Sequence, residues 1–189
     1  MAPGLARLGD RPADEGKAIE ALVSRGAHRE AIERCVQAYG VSVGRLCMAF
    51  TGSQAESEEL VQETFLAAYG GLTQYRGDGS VRSWLFGIAR RICGRHTEMR
   101  TRREARLRLV HDTSRAPDAS ELTIDRERAT RARDALSKLK PSEREAVVLR
   151  YEGGLSFREL AKTCGVDEAA ARKRVSRALA KLRADLGEE

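Results

Sequence analysis

The sequence predicts an all-α fold with two small helical domains joined by a flexible linker. Charged residues make up 33% of the chain and aromatic residues only 5%, a composition that suits helical bundles better than sandwiches or barrels. Apolar residues recur at three- and four-residue spacing, which is typical of amphipathic helices. With 189 residues, the chain can form two domains that each bury a modest core.

The domain boundaries follow from where the helical period is lost. Residues 1–15 contain two prolines and mixed charges without a sustained period, and they predict a flexible tail. Residues 109–128 also lack the period and are enriched in Ser, Thr, Pro and Asp, which predicts a linker. The remaining segments are an N-terminal helical bundle at 16–108 and a C-terminal four-helix domain at 129–186.

The charge balance favours an anionic partner. Lys and Arg number 34 against 28 Asp and Glu, which gives a net charge of +6 and an isoelectric point near 9.4. No apolar run approaches the roughly 18 residues that a membrane span needs, and no signal-peptide pattern opens the sequence. We therefore expect a cytoplasmic protein without membrane insertion.

Three helices are predicted in the N-terminal domain. The first runs from His28 to near Gly52, and the second from about Gln54 to Tyr69, where Gly70-Gly71 stops it. Ser80 is placed to cap the third. The tripeptide RGD in the segment before it suggests an adhesion motif, but the two glycines are better explained by a tight loop between helices. The apolar positions of the third helix share one face: Val81, Trp84, Leu85, Ile88 and Ile92.

The cysteines and the remaining polar residues give no sign of catalysis. Cys35 and Cys47 lie on the apolar face of the first helix, which favours core thiols over a redox pair or a metal site. Cys93 and His96 could chelate a metal with one of them, but a tetrahedral structural site needs four ligands. The sequence contains no phosphate loop, framed carboxylate pair or nucleophile elbow, so we predict no catalytic residue, no metal and no cofactor.

A cluster of arginines follows the apolar face of the third helix. Residues 90–108 contain eight arginines and only two glutamates, Glu98 and Glu104. A solvated helix face is one explanation, but a run this one-sided repels itself unless an anion offsets it. Trp84 lies nearby on the apolar face, which favours core packing over stacking on a nucleic-acid base.

The C-terminal domain contains the signature of a helix-turn-helix. A first helix is predicted at about 129–138, and a second begins at Pro141 and ends at Gly153-Gly154. Ser156 and Glu159 form a capping box for the third helix. Its small Ala161 suits a helix crossing and the following Gly165 suits a sharp turn.

The last helix, capped by Asp167 and running to about Leu186, is the strongest candidate for DNA binding. Its stretch from 169 to 183 contains six basic residues and no acid. The small alanines at its start would let it approach a groove floor, and Glu168 could accept a hydrogen bond from cytosine. The alternatives are a basic amphipathic helix that covers the core or lies on a membrane surface. The residues available for phosphates and guanine edges are Arg172, Lys173, Arg174 and Arg177.

Both halves of the chain carry motifs of one family. The first half has ELVQETF at 59–65, YRGD at 75–78 and SWLFGIAR at 83–90. The second half has ERE at 143–145, LRY at 149–151, ELA at 159–161, GV at 165–166 and RKR at 172–174. In this order and spacing, over residues 17 to 186, the chain resembles the extracytoplasmic-function group of bacterial RNA polymerase sigma factors.

The resemblance implies three binding surfaces. The first grips the coiled-coil of the polymerase largest subunit, the second captures a base flipped out of the minus-ten element, and the third reads the minus-thirty-five element in the major groove. The core-polymerase set is Glu59, Leu60, Gln62, Glu63 and Phe65. The minus-ten set is Tyr75, Arg76, Asp78, Ser80, Arg82, Arg90, Arg91 and Arg95. The minus-thirty-five set is Ser156, Glu168, Ala170, Arg172, Lys173, Arg174 and Arg177.

The partners that the resemblance implies are core RNA polymerase and promoter DNA, both double-stranded and single-stranded. Members of this family are often held inactive by an anti-sigma protein, which is a further expected partner, although no residue here identifies it. The rival interpretation is a free-standing DNA-binding regulator whose first half senses a signal or dimerises. The separate arginine cluster of the first half argues against that rival.

Overall fold

The computed structural model describes residues 13–108, 131–132 and 134–186, which form helices and turns and contain no strand. The predicted all-α fold is confirmed. The predicted linker at 109–128 lies outside the described residues, as do residues 1–12 of the predicted tail.

The N-terminal domain contains four helices. They are α1 (Ala13–Ser24), α2 (His28–Thr51), α3 (Gln54–Gly71) and α4 (Val81–Arg108), with a 3-10 turn at Leu72–Gln74 between the last two. The bounds of α2 agree with the prediction. Helix α3 includes the glycine pair that was expected to stop it.

The first helix was not predicted, and it begins inside the segment interpreted as a tail. Helix α1 starts at Ala13, two residues before the expected boundary at 15. Its Ile19 and Leu22 are buried in the bundle core, with 0% and 2% of their surface exposed. Because only a few apolar residues anchor this short helix, tertiary packing decides its position more than local pattern does.

The C-terminal domain consists of short helices. Residues 131–132 and 134–137 are helical, and α5 (Pro141–Tyr151), α6 (Phe157–Cys164) and α7 (Glu168–Leu186) follow. Pro141 stands at the start of α5, where a missing backbone N–H costs nothing. None of the helices in the described part of the chain is long and apolar enough to cross a membrane.

The two domains share a continuous apolar core. Helix α2 packs against α5, and α4 packs against α6. Phe86 of α4 is fully buried, and a Cβ added to Gly153 would lie 3.2 Å from its ring. Gly153 therefore lets the turn after α5 approach the N-terminal domain closely.

Candidate nucleic-acid and polymerase interfaces

The helix-turn-helix forms as the sequence predicts. The side chain of Ser156 accepts a hydrogen bond from the Glu159 amide, and the Glu159 carboxylate accepts one from the Ser156 amide at 2.9 Å. Gly165 ends α6 with a φ of 65°, a left-handed conformation that favours glycine. Asp167 caps α7 by accepting from the Ala170 amide at 2.7 Å. These local bonds fix the angle at which α7 leaves α6.

Helix α7 presents an exposed basic face. Lys173 and Arg177 are exposed, and within the described residues they make no ion pair. Arg174 is half-buried, as is Ala170, while Ala171 faces the core. The face is therefore open to a phosphate backbone, with the small residues positioned at its start.

Arg172 and Glu168 differ from the other members of the predicted set. Their side chains pair at 2.6 Å, one turn apart on α7. The Arg172 guanidinium also stacks 4.3 Å from the centre of the Phe157 ring, which Arg150 flanks at 4.8 Å. Sequence analysis missed this arrangement, because a ring between two cations depends on how α5, α6 and α7 pack.

The segment from Tyr75 to Ser80 is a tight loop between the 3-10 turn and α4. The Tyr75 hydroxyl donates to the carbonyl of Gly79 at 2.6 Å, and Gly77 has a φ of 75°. Ser80 caps α4 by accepting from the Ser83 amide at 3.1 Å. Arg76 and Asp78 are exposed at the tip of this loop. The loop is thus a defined backbone structure, as the glycines indicated.

Trp84 packs against the core, as expected, although its side chain is only half-buried. Its ring lies 5.3 Å from that of Tyr75, and a Cβ added to Gly71 would lie 3.2 Å from it. Together with Arg91 and Arg95 it lines a surface groove of about 650 Å³ along α3 and α4. A half-buried aromatic ring that lines the same groove as two arginines is a surface that can hold a stacked base and its phosphates.

The predicted polymerase-binding residues lie on α3, on two different faces. Glu59, Gln62 and Glu63 are exposed, whereas Leu60 is 4% exposed and belongs to the core. Phe65 is half-buried. Leu60 therefore supports this surface from within and is not part of it.

Leu66 completes the exposed face of α3, and sequence analysis missed it. Its side chain is 74% exposed, next along the helix to the half-buried Phe65. The helical period of α3 places Leu66 outside the buried face, beside the acidic residues, so the sequence did contain a signal for an exposed apolar residue there.

Four residues of the predicted minus-ten set contact the C-terminal domain. Lys162 donates to the Asp78 carbonyl at 2.9 Å, and Ser80 donates to the Glu159 carboxylate. Arg90 forms an ion pair with Glu145. The fourth, Arg82, lies against the turn after α5, where a Cβ added to Gly154 would meet its guanidinium at 2.5 Å.

A further ion pair joins the domains through residues outside the predicted sets. Arg45 of α2 pairs with Glu152 at 2.8 Å.

Burial opposes the ionisation of Glu159, but hydrogen bonds from Ser80 and Ser156 outweigh it and hold the pKa of this carboxyl below its ordinary value. Glu159 is therefore an anion that serves both its own helix and the neighbouring domain.

Comparison with known proteins identifies both domains. Residues 35–103 match the model of sigma-70 region 2, and residues 129–182 match that of sigma-70 region 4. The chain is 30% identical over 177 residues to the ECF RNA polymerase sigma factor SigC of Mycobacterium tuberculosis, covering 91% of this chain and 92% of SigC. This chain belongs to the extracytoplasmic-function group of RNA polymerase sigma factors. Its function is promoter recognition and the initiation of transcription.

Two further relatives of this sigma factor agree with the assignment. The probable RNA polymerase sigma factor RfaY of Xanthomonas campestris is 32% identical over 166 residues, which span 80% of this chain but only 41% of RfaY. The solved structure of CnrH in complex with the cytosolic domain of CnrY is similar with a TM-score of 0.67 and 26% identity, covering 93% of this chain and 99% of CnrH.

The cysteines of this sigma factor are free, and the prediction that Cys35 and Cys47 are core thiols is confirmed. Both are fully buried, and Cys93 lies with its sulfur 3.6 Å from that of Cys47. Burial raises the pKa of the Cys35 thiol to about 12. In the described part of the chain, no three His, Cys, Asp or Glu side chains come together as metal ligands.

Proposed function

We propose that this sigma factor brings RNA polymerase to its promoters through three separate surfaces. The exposed face of α3 binds the polymerase core, the loop at 75–80 with the adjoining part of α4 binds melted minus-ten DNA, and α7 reads the minus-thirty-five duplex. The observation that carries the proposal is the exposed basic face of α7, the second helix of a helix-turn-helix in which both helices are capped.

Helix α7 suits the major groove because it is narrow at its start and cationic along its exposed side. Ala169 is exposed and Ala170 half-buried at the start of the helix, so this end can approach the base edges closely. Lys173 and Arg177 are exposed for phosphates or guanine edges. Arg172 is already paired with Glu168, so we expect it to order the surface before DNA arrives.

The loop at 75–80 suits single-stranded DNA. Extruding a base costs about a few kcal/mol, and least where the strands have already parted. Stacking on an aromatic ring offsets roughly 1 to 3 kcal/mol per base, and Tyr75 and Trp84 supply adjoining rings. Arg91 and Arg95 are exposed on α4 to meet the phosphates of the same strand.

The exposed face of α3 suits a helical partner such as the coiled-coil of the polymerase largest subunit. Glu59, Gln62 and Glu63 supply a polar rim, and Leu66 supplies an apolar anchor beside them. Glu63 also lies 3.4 Å from Arg95, an exposed pair that contributes little to stability and can be exchanged for a partner's side chain.

The proposal extends to the setting in which the protein acts. The sigma factor has no catalysis of its own and works in the cytoplasm, where polymerase and DNA meet. An anti-sigma protein is the further partner that the family suggests, and the solved relative CnrH is itself in a complex with the cytosolic domain of CnrY.

The test separates polymerase binding from DNA binding in the full chain. The double variant Gln62→Ala with Glu63→Ala should weaken association with core polymerase at least tenfold, while duplex binding by the free chain stays unchanged. Glu33→Ala, an exposed acid of α2 paired with Arg29, is the control and should affect neither. If the free chain bound promoter duplex as tightly as the holoenzyme does, a free-standing regulator would replace this proposal.

A further inference from the structure

The loop at 75–80 is held at both ends by one carboxylate of α1 that no sequence motif identifies. An oxygen of Glu20 lies 3.1 Å from the amide nitrogen of Val81, just after the loop. The same oxygen lies 3.3 Å from the Tyr75 hydroxyl, at the first residue of the loop. Glu20 is distant from both in sequence, so only the fold brings these groups together.

The contact with Val81 stabilises the start of α4. Val81 is the first residue of that helix, and its amide is one of the donors that a helix cannot satisfy internally. Ser80 satisfies the Ser83 amide and leaves this one for Glu20. A carboxylate at this position also complements the positive end of the helix dipole.

The contact with Tyr75 fixes the other end of the loop. A phenol has one proton to donate, and Tyr75 shares it between two acceptors, the Gly79 carbonyl at 2.6 Å and the Glu20 carboxylate at 3.3 Å. Burial raises the pKa of Tyr75, and the nearby charge of Glu20 raises it further. The hydroxyl therefore keeps its proton and remains the donor that closes the loop from Tyr75 to Gly79.

We propose that Glu20 is a positioning residue that preorganises the loop for DNA. Its carboxylate, Tyr75, Gly79 and Val81 form a closed set of contacts that sets the span of the loop before any base enters. Beside this set lies a cavity of about 540 Å³, lined in part by Glu20, Ser24 and Arg76. A loop that is already ordered does not lose conformational entropy when DNA binds, so binding is more favourable.

This inference rests on the proposed function of the loop, because preorganisation matters only if the loop captures DNA. The position of Tyr75 can nevertheless be measured without DNA. Trp84 is the single tryptophan of the chain, and its ring lies 5.3 Å from that of Tyr75. Its fluorescence therefore reports the loop in the free protein.

The experiment compares Glu20→Ala, Glu20→Gln and Glu15→Ala in the full chain. Glu15 is the control, since it lies on the same helix and its carboxylate is 3.8 Å from Arg34. In the free protein, Glu20→Ala should shift the Trp84 emission and lower the thermal midpoint by a few degrees, while the far-UV circular dichroism of the folded protein remains close to that of the control. Glu20→Gln keeps an acceptor oxygen for the Val81 amide and should restore most of the wild-type spectrum.

In reconstituted holoenzyme, Glu20→Ala should reduce open promoter complexes about tenfold, the loss expected for one charge-assisted hydrogen bond. Binding of the minus-thirty-five duplex should not change. Unaltered Trp84 emission in Glu20→Ala, or an equal shift in Glu15→Ala, would overturn the positioning role. If the emission shifts and Glu20→Gln restores it, but open complexes form normally, the positioning role stands and the proposed function of the loop is wrong.

Discussion

The two candidate DNA surfaces of this sigma factor are built in opposite ways. Helix α7 is ordered by its own domain, through the capping box, Gly165 and Asp167, and its basic face is exposed. The loop at 75–80 is ordered by distant groups and is in contact with the C-terminal domain, through Lys162 and Glu159. The contacts that order α7 therefore lie within its own domain, whereas the loop also depends on groups from α1 and from the other domain.

The comparison extends to two carboxylates at the start of α4. Glu20 comes from the same domain and satisfies the Val81 amide, so its contact persists whenever that domain is folded. Glu159 comes from α6 and accepts from the Ser80 hydroxyl, so its contact lasts only while the domains are together. The start of α4 therefore has two acidic partners. The contact with Glu20 does not depend on the other domain, whereas the contact with Glu159 is lost when the domains separate.

The largest expected effect comes from Gly153→Ala, which would crowd the end of α5 and the contact that the following turn makes with Phe86 of the N-terminal domain. The added Cβ would lie 2.5 Å from the carbonyl oxygen of Leu149 and 3.2 Å from the Phe86 ring, so backbone must shift. We expect the free energy of unfolding in urea to fall by about 1 to 3 kcal/mol. Gly70→Ala, where nothing lies within 4 Å, is the control and should be neutral or stabilise by up to about 1 kcal/mol. Equal stability of the two variants would mean that the approach at Gly153 is not tight.

The second-largest expected effect comes from Lys173→Ala, which removes one charge from the exposed basic face of α7. Lys173→Ala should weaken binding of the minus-thirty-five duplex by roughly fivefold to tenfold near 0.1 M salt, and reduce the slope of log affinity against log salt by about 0.9, because one phosphate contact is lost. Lys138→Ala is the control, since Lys138 is exposed but pairs with Asp185 at 2.7 Å. Fluorescence anisotropy over a salt series measures both. A slope equal to that of the wild type would remove Lys173 from the DNA contact surface.

Features with a local cause could be predicted from the sequence. The caps at Ser80, Ser156 and Asp167 are present as expected, because a cap depends on residues within one turn of it. The left-handed Gly165 follows for the same reason. The family motifs then placed the three surfaces on particular elements, although their residue roles stay predictions.

Features that depend on tertiary packing could not be predicted. The start of α1 at Ala13 and the half-exposure of Trp84 both depend on which neighbouring helix covers which face. Gly153 lies close to the Phe86 ring although the two residues are far apart along the chain. Periodicity identifies an apolar face but not its covering partner, so the contacts between the domains and the role of Glu20 required the structure.

The smallest expected effect concerns Glu159 and the pH dependence of the domain contact. While the domains are in contact, the pKa of the Glu159 carboxyl is lowered. The stability that its charge gives to the domain contact is therefore complete above the ordinary carboxyl pKa of 4.5 and is lost as the pH falls through the lowered value. Glu145 and Glu152 also join the domains, through ion pairs with Arg90 and Arg45, so only a difference between variants isolates Glu159. Glu159→Gln keeps the capping box, because glutamine serves at that position, but loses the charge.

At pH 7, Glu159→Gln should weaken the domain contact by less than about 1 kcal/mol, since the hydrogen bond between Ser80 and Glu159 is only partly buried. Energy transfer between dyes on the two domains should fall slightly in this variant and remain at the wild-type level in Glu168→Gln, an exposed acid of α7 that contacts Arg172. Wild type and Glu159→Gln should then converge as the pH is lowered below 4.5, because protonation removes from the wild type the charge that the variant already lacks. A gap that stays constant down to low pH would show that the difference between wild type and Glu159→Gln does not come from the charge of Glu159, and that this charge does not hold the two domains together.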